Sequence, residues 1–445
     1  MAGFTVVWIG QVVSLLGSSM TIFGLTIWMF EETGRATSLA LLGMFYMIPL
    51  LLASPVAGVM VDRHSRKLLM ILSDLASGLV TLAAFFLLLT GGLQVWHLYV
   101  AAFVMGTFQT FQWPAFSAAI TLMLPKEQYT RANSMMELAN SASNIFAPLA
   151  AGALLGVIGL SGILMIDIVT FVFAISALLV VVIPEPERTE ESKAGQAGMF
   201  EEVAYGFRYI LERPSLLGLQ TIFLLGNFFA TVGFTLLAPL ILSRTDSNEL
   251  IFGSVQTIGA IGGVIGGVVI STWGGFKRRV HGVLAGWMFS MFGIVIAGIG
   301  RPDPVWAAIP VWGAGLFIQS FFAPLINGSN QAIWQAKVAP DVQGRVFSIR
   351  RLIAWLVIPL AQLTSGPLAD QVMEPAMREG GPLADVFGWL VGVGPGAGMS
   401  LILVFAGLLG MVAGLSGYLF PSVRDVEDIL PDHDAASAHA EGMAS

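Results

Sequence analysis

The chain has 445 residues, 56% of them hydrophobic and only 11% charged, with a net charge of −7 and a mean hydropathy of +0.81. Soluble domains carry about 25% charged residues, so this composition excludes a water-covered globule and points to a chain that crosses a membrane many times. Cysteine is absent, which removes disulfide frameworks and thiolate metal sites, and the acidic residues gather in two polar segments, 185–202 and 425–441.

A helix needs about 20 apolar residues to cross a bilayer. In chain order, twelve such runs are expected at 4–30, 38–61, 68–90, 95–124, 132–157 and 161–183, then at 216–242, 251–273, 282–299, 305–335, 346–370 and 398–420. Between the sixth and seventh lies a polar stretch from Pro184 to Pro214, whose "MFEEVAYGFRYILERP" reads as a short interfacial helix. Of the 21 Lys and Arg, all but Arg35, Arg244, Arg301 and Arg378 fall on the face that carries Met1. That bias places both termini in the cytoplasm and leaves no cation at mid-membrane. The expected fold is therefore an all-α membrane protein of twelve transmembrane helices in two six-helix bundles. The first bundle is 1–183, the linker 184–215 and the second bundle 216–420. An acidic tail, 421–445, is expected to be disordered.

The halves echo each other. Gly10 and Gly226, Pro114 and Pro324, and Pro148 and Pro359 are each 210 to 216 residues apart, and the basic turn "RHSRK" returns as "FKRR" at 276–279. Landmarks in one order at a near-constant offset indicate a duplicated unit. Two parallel six-helix repeats are the arrangement of a secondary transporter whose site lies between them.

Ionisable groups inside a bilayer are expensive and usually functional, and three acids lie well within the expected spans: Asp74, Glu137 and Asp167. Asp74, on the face of span 3 that also carries Lys67, is expected to pair with the cations of the preceding loop, with proton coupling as its alternative role. Glu137 heads a stripe with Asn140, Ser141 and Asn144 that must face protein or water, a setting suited to loading and releasing a proton. Asp167 lies near the outer end of span 6, where it either shares that role or reaches the interface. Amides and aromatics without fixed charge mark a candidate cavity: Gln11, Gln109, Gln112, Trp113, Asn140, Asn144, Asn227, Asn330, Gln331 and Trp334. Such walls suit a bulky amphipathic ligand, and the alternative for each is hydrogen bonding between helices. Gly259, Gly263 and Gly267 read as a close-packing stripe. No lysine is followed by Ser or Thr, which removes a phosphate-binding loop. No nucleophile–base or metal constellation is present either, so neither an enzyme nor a cofactor is expected.

The turn "GVMVDRHSRK", residues 58–67, resembles the loop 2–3 signature of the major facilitator superfamily, G-x-x-x-D-R-x-G-R-R/K. Gly58, Asp62, Arg63, Arg66 and Lys67 fall on its positions, with Ser65 where glycine is usual. "WIGQVVSLLGSSM" and "LMLPKEQYTRANSM" are similar to the drug-export branch that includes macrolide efflux proteins and enterobactin exporters. "FAPLAAG" resembles the span-5 antiporter signature G-P-x-x-G-G: Pro148 and Gly152 match, while Ala147 and Ala151 replace glycines. The resemblance implies proton-coupled efflux of an amphipathic small molecule (drug, macrolide or siderophore) by alternating access, carried out by a monomer in a bacterial plasma or inner membrane. Its partners would be substrate, protons and lipid, with no nucleic acid. It further implies that Asp62 latches the cytoplasmic N-terminus of span 11, near Arg345 to Ser348. A uniporter or importer, or a non-transporting receptor or scaffold on the same fold, are the rival readings.

Overall fold

Among the described residues, helices are the only regular elements in the computed structural model of the chain, which describes residues 2–63, 65–124, 129–183, 199–301, 305–338 and 343–431. A backbone in hydrocarbon has no water to bond, and a helix satisfies its polar groups within the segment. The first bundle contains α1 (Ala2–Thr33), α2 (Ala36–Arg63), α3 (Arg66–Leu89), α4 (Val95–Met123) and α5 (Tyr129–Val180). A straight helix as long as α5 would measure about 78 Å, more than twice the roughly 30 Å hydrocarbon core. Gly159 breaks it, with φ 66° and ψ 179°, a conformation open to a residue without Cβ. The arms 129–158 and 160–180 then fold back on each other. Trp8 Nε1 donates to the Met135 carbonyl at 3.0 Å, and Lys67 Nζ donates to the carbonyls of Leu179 (3.1 Å) and Val181 (2.8 Å). Both ends of α5 therefore lie on the face where α1 begins, here the near face, and Gly159 lies toward the far face.

After the linker helix α6 (Met199–Leu211) come α7 (Pro214–Arg244), α8 (Glu249–Trp273), α9 (Arg279–Gly298), α10 (Val305–Phe321) and α11 (Ala323–Lys337). α10 and α11 are one expected span, interrupted where Pro324 removes a backbone donor. α12 (Gln343–Pro367) continues through a π-helical turn, Leu368–Met373, and a last turn, Glu374–Ala376. A short α13 (Ala384–Val391) precedes α14 (Ala397–Ser416). Among the described residues ten stretches are long and apolar enough to span a membrane; one of them, Ala142–Val180, runs across both arms of α5, and α4 is outside the ten. This is consistent with twelve spans.

The two bundles meet along two seams toward the far face. On the α5–α8 seam, a Cβ on Gly152 would sit 2.7 Å from the Glu249 carbonyl and one on Gly253 would overlap that of Pro148. Thr257 Oγ1 donates to the Ile145 carbonyl at 3.0 Å, and the rings of Phe23 and Phe252 stack at 4.9 Å. The other seam joins α2 to α12. Pro148 and Gly152 thus lie on a contact between bundles, where small side chains let backbones approach, and Ala147 is buried beside them.

Two expectations are corrected. Residues 421–431, expected in the disordered tail, include two short helices, α15 (Pro421–Arg424) and α16 (Val426–Ile429), docked under the second bundle. Val423 and Val426 are buried. Arg278 pairs with Asp425 at 3.4 Å and with Asp428, Glu427 Oε2 accepts from the Val280 amide at 3.0 Å, and Lys337 Nζ donates to the Glu427 carbonyl at 2.6 Å. The two valines give an otherwise acidic segment an apolar face to bury, and the basic turn at 277–279 supplies the countercharge. Residues 432–445 lie outside the described residues. The glycine stripe on α8 is also displaced. Its close contacts are Gly259 on Leu316, Gly262 on Phe317 and Gly266 on Phe321, whereas a Cβ on Gly267 meets nothing within 4 Å.

Gly266→Ala, which forces a Cβ into the Phe321 backbone, should lower stability by about 1–3 kcal/mol. Gly267→Ala should be neutral or stabilise by up to about 1 kcal/mol, because glycine is a poor helix former. Thermal unfolding of the two variants in detergent separates these outcomes.

Candidate functional site

α1, α4 and the first arm of α5 line an open cleft on the near-face side of the first bundle. Its walls include Trp8 and Gln11 on α1, Gln109, Gln112 and Phe116 on α4, and Asn140 on α5. Spacing puts these residues there: Trp8 and Gln11, and Gln109, Gln112 and Phe116, recur at three or four residues and so share one helix face.

Behind that wall lies Asp74, buried on α3 at 8% exposure. Gln11 Nε2 donates to its Oδ2 at 2.8 Å and Gln112 Nε2 to its Oδ1 at 2.9 Å. Gln112 Nε2 also reaches Gln11 Oε1 at 2.9 Å. Two amides therefore belong both to the cleft wall and to the shell of a buried carboxylate. Among the described side chains, Asp74 pairs with two amides and not with the loop cations expected for it. Asp74 lies about 10 Å up the helix from Lys67 and turns inward to α1 and α4. Lys67 instead binds the last carbonyls of α5, where a cation complements the helix C-terminus.

Asp167, at 3% exposure, does not reach the interface. Its oxygens accept from Ser18 Oγ and Thr81 Oγ1, each at 3.0 Å, so it ties the second arm of α5 to α1 and α3, away from the cleft lining. Glu137, Trp113, Gly58, Asp62 and Arg63 belong to helices, but their side chains lie outside the described residues. Arg66, at the start of α3, is half-buried, as is Asn227, and Asn144 is exposed.

In the second bundle, Asn330 and Trp334 are buried at 1% and 0% exposure. Trp334 Nε1 donates to Asn330 Oδ1 at 3.1 Å, so the two side chains pair within the core and do not line the cleft, and Asn330 Nδ2 is left buried without a hydrogen-bond partner. Gln331 Oε1 accepts from Arg350 Nη2 at 2.8 Å. Arg350, grouped by sequence with the near-face loop cations, stands inside α12, its guanidinium over the rings of Trp334 (5.3 Å) and Phe347 (5.5 Å). Its Nη1 is buried without a hydrogen-bond partner. Trp8, on the cleft wall, and Arg350, inside the second bundle, are residues whose setting the sequence did not reveal: Trp8 reads as apolar filling, and Arg350 as part of a basic turn.

A family model described as Major Facilitator Superfamily matches residues 7–362. Macrolide efflux protein A of Streptococcus pyogenes is 27% identical over 381 residues, covering 83% of this chain and 90% of that protein. The multidrug efflux pump Tap of Mycolicibacterium fortuitum is 25% identical over 364 residues, covering 80% and 86%. Among solved structures, the nucleoside transporter NupG superposes with a TM-score of 0.68 at 11% identity, over 94% of this chain and all of that one. An inward-facing bacterial homologue of the iron transporter ferroportin gives 0.66 at 16% identity, over 93% and 98%.

Removing one donor from a buried carboxylate costs about 1.5–3 kcal/mol. Gln112→Leu should therefore destabilise the fold by that amount in the wild-type background and by much less beside Asp74→Leu. A double-mutant cycle read by thermal unfolding should return a coupling of about 1–2 kcal/mol; additive effects would show that the bond contributes nothing.

Proposed function

The chain belongs to the Major Facilitator Superfamily, and from that membership we propose that it exports an amphipathic small molecule of macrolide type in exchange for protons. It is a multi-pass membrane transporter, not an enzyme. The observation that carries the finer reading is the sharing of Gln11 and Gln112 between cleft and carboxylate. A solute that recruits these amides competes with Asp74 for the same donors, and a carboxylate's proton occupancy depends on the hydrogen bonds it receives. Solute occupancy and protonation are then linked without direct contact between solute and acid. Trp8 and Phe116 supply apolar faces and Gln109 and Asn140 adjustable polar ones, a lining without fixed charge that holds large ligands loosely.

Direction of transport rests on the relatives, whose names specify macrolide efflux and multidrug efflux. Asp74 is proposed as the principal coupling acid and Glu137, on the adjoining arm of α5, as the second. Asp62 is proposed to close the cytoplasmic side against the N-terminus of α12, as the loop signature implies.

In proteoliposomes, a radiolabelled macrolide should be driven by an imposed pH gradient. Asp74→Asn should lower that gradient-driven flux at least about ten-fold, the scale expected when a proton-transferring group is lost, while macrolide binding persists. Flux retained in Asp74→Asn but lost in Glu137→Gln would move the proton to α5. Gradient-independent flux in the wild type would replace antiport with facilitated passage.

A further inference from the structure

The α2–α12 seam ends in a contact between the bundles that the loop signature does not include. Asp370, in the π-helical turn that extends α12, reaches across to the first turn of α2. Its Oδ1 accepts from the Ala36 amide at 3.0 Å, and its Oδ2 accepts from the Thr37 amide at 2.8 Å and from Thr37 Oγ1 at 2.6 Å. The first amides of any helix lack intrahelical partners, and a carboxylate placed there satisfies them and meets the positive end of the helix dipole. Here the capping group comes from the other bundle. Among the described residues, the hydrogen bonds that join the two bundles are those of Asp370 and the Thr257–Ile145 bond.

The approach that Asp370 completes is built into the helix faces below it. A Cβ on Gly366 would lie 2.6 Å from Thr37 Cα and 2.9 Å from Ala40 Cβ, and one on Gly43 would overlap the Gln362 amide. Gln362, Gly366 and Asp370 thus face Gly43, Ala40 and Thr37 in antiparallel register. The π turn shifts Asp370 relative to an α-helical path, and such turns recur at functional positions.

We propose that Asp370 is the far-side latch of the transport cycle. Its bonds to α2 hold the bundles together on the far face while the cleft is open to the near face, and they break when the far side opens. The same two antiparallel helices carry Asp62 near the other end of α2, the end that lies toward the start of α12. Each helix then offers a carboxylate near its C-terminus and free amides at its N-terminus, and rocking exchanges one latch for the other. This extends the transporter reading and does not depend on the identity of solute or ion.

The chain has no cysteine, so spin labels can be placed at will. Thr90→Cys, at the exposed far end of α3, and Glu379→Cys, exposed beyond α12, report the separation of the bundles by pulsed electron double resonance in nanodiscs, with no substrate present. Adding Asp370→Asn should raise the population of the longer distance about ten-fold or more, as loss of charge-assisted bonds shifts a two-state balance. Thr37→Val, which removes only the hydroxyl donor, should produce a smaller shift in the same direction and serves alone if Asp370→Asn does not fold. A distance distribution unchanged by the variant examined would overturn the latch. Because this measurement needs no flux, a failed macrolide assay would leave it standing.

Discussion

A polar group at hydrocarbon depth has no water to bind, and leaving it unpaired costs several kcal/mol. Each such group in this chain is therefore a constraint on where a neighbouring helix must lie. Asp74 draws Gln11 and Gln112 toward it and so fixes α1 and α4 against α3. Asp167 does the same one layer farther on, with Ser18 and Thr81. Ser143 joins α5 to α1 through Ser19 at 2.9 Å. In the second bundle the buried Arg244 donates to the carbonyls of Gly300 (2.6 Å) and Val391 (2.7 Å), and Glu374 accepts from the amides of Gly396 and Met399 at the start of α14. Apolar contact alone fixes helices poorly in a solvent that is itself apolar. These polar ties give each bundle a definite arrangement and let it move as one body.

Between the bundles the same constraint is met differently. The seams include Gly152, Gly253, Gly366 and Ala40, where the helices approach closely, with Thr257 and Asp370 adding the polar bonds. Close packing of small residues gains dispersion energy when formed and exposes no orphaned polar group when parted. An interface of that kind can be opened at modest cost, which alternating access requires: its two states must lie within a few kcal/mol of each other. Rigidity within bundles and weakness between them come from one rule about polar groups, applied at different densities.

Much of this is legible in the sequence. Apolar run length locates the spans, and the break at Ile158, Gly159 and Leu160 falls between two of them, because a single helix through that point would be far too long. The acids at 74 and 167 stand out against their surroundings. What composition and spacing do not carry is the direction in which a side chain turns. Asp74 shares a helix face with Lys67 on paper, yet its partners come from α1 and α4, 63 and 38 residues away along the chain. Gly259, Gly263 and Gly267 repeat at four residues, but the contact face follows 259, 262 and 266 because the partner α10 crosses at its own angle. Asn330 and Trp334 look like cavity residues until the depth of burial pairs them with each other. Asp370 stands at the end of an expected span, where acids are ordinary, and only the fold brings Thr37 to it from the other bundle.

The duplicated unit has diverged in where it keeps its charge. Among the described residues, buried carboxylates not matched to a cation belong to the first bundle, at Asp74 and Asp167, whereas the second bundle holds Arg350 among aromatic rings near Gln331. A carboxylate with two amide donors can change its protonation without leaving a fixed countercharge stranded. A guanidinium stays charged at any physiological pH and must keep its partners in every state of the cycle. Under the proposed antiport, the first bundle holds the acids that exchange the proton, while the second keeps its fixed charge among Gln331, Trp334 and Phe347. A gate whose far-side bonds come from a carboxylate on the second bundle and amides on the first joins these roles mechanically. Movement of α12 against α2 changes the far-side closure, and through α1 and α4 it reaches the helices that hold Asp74.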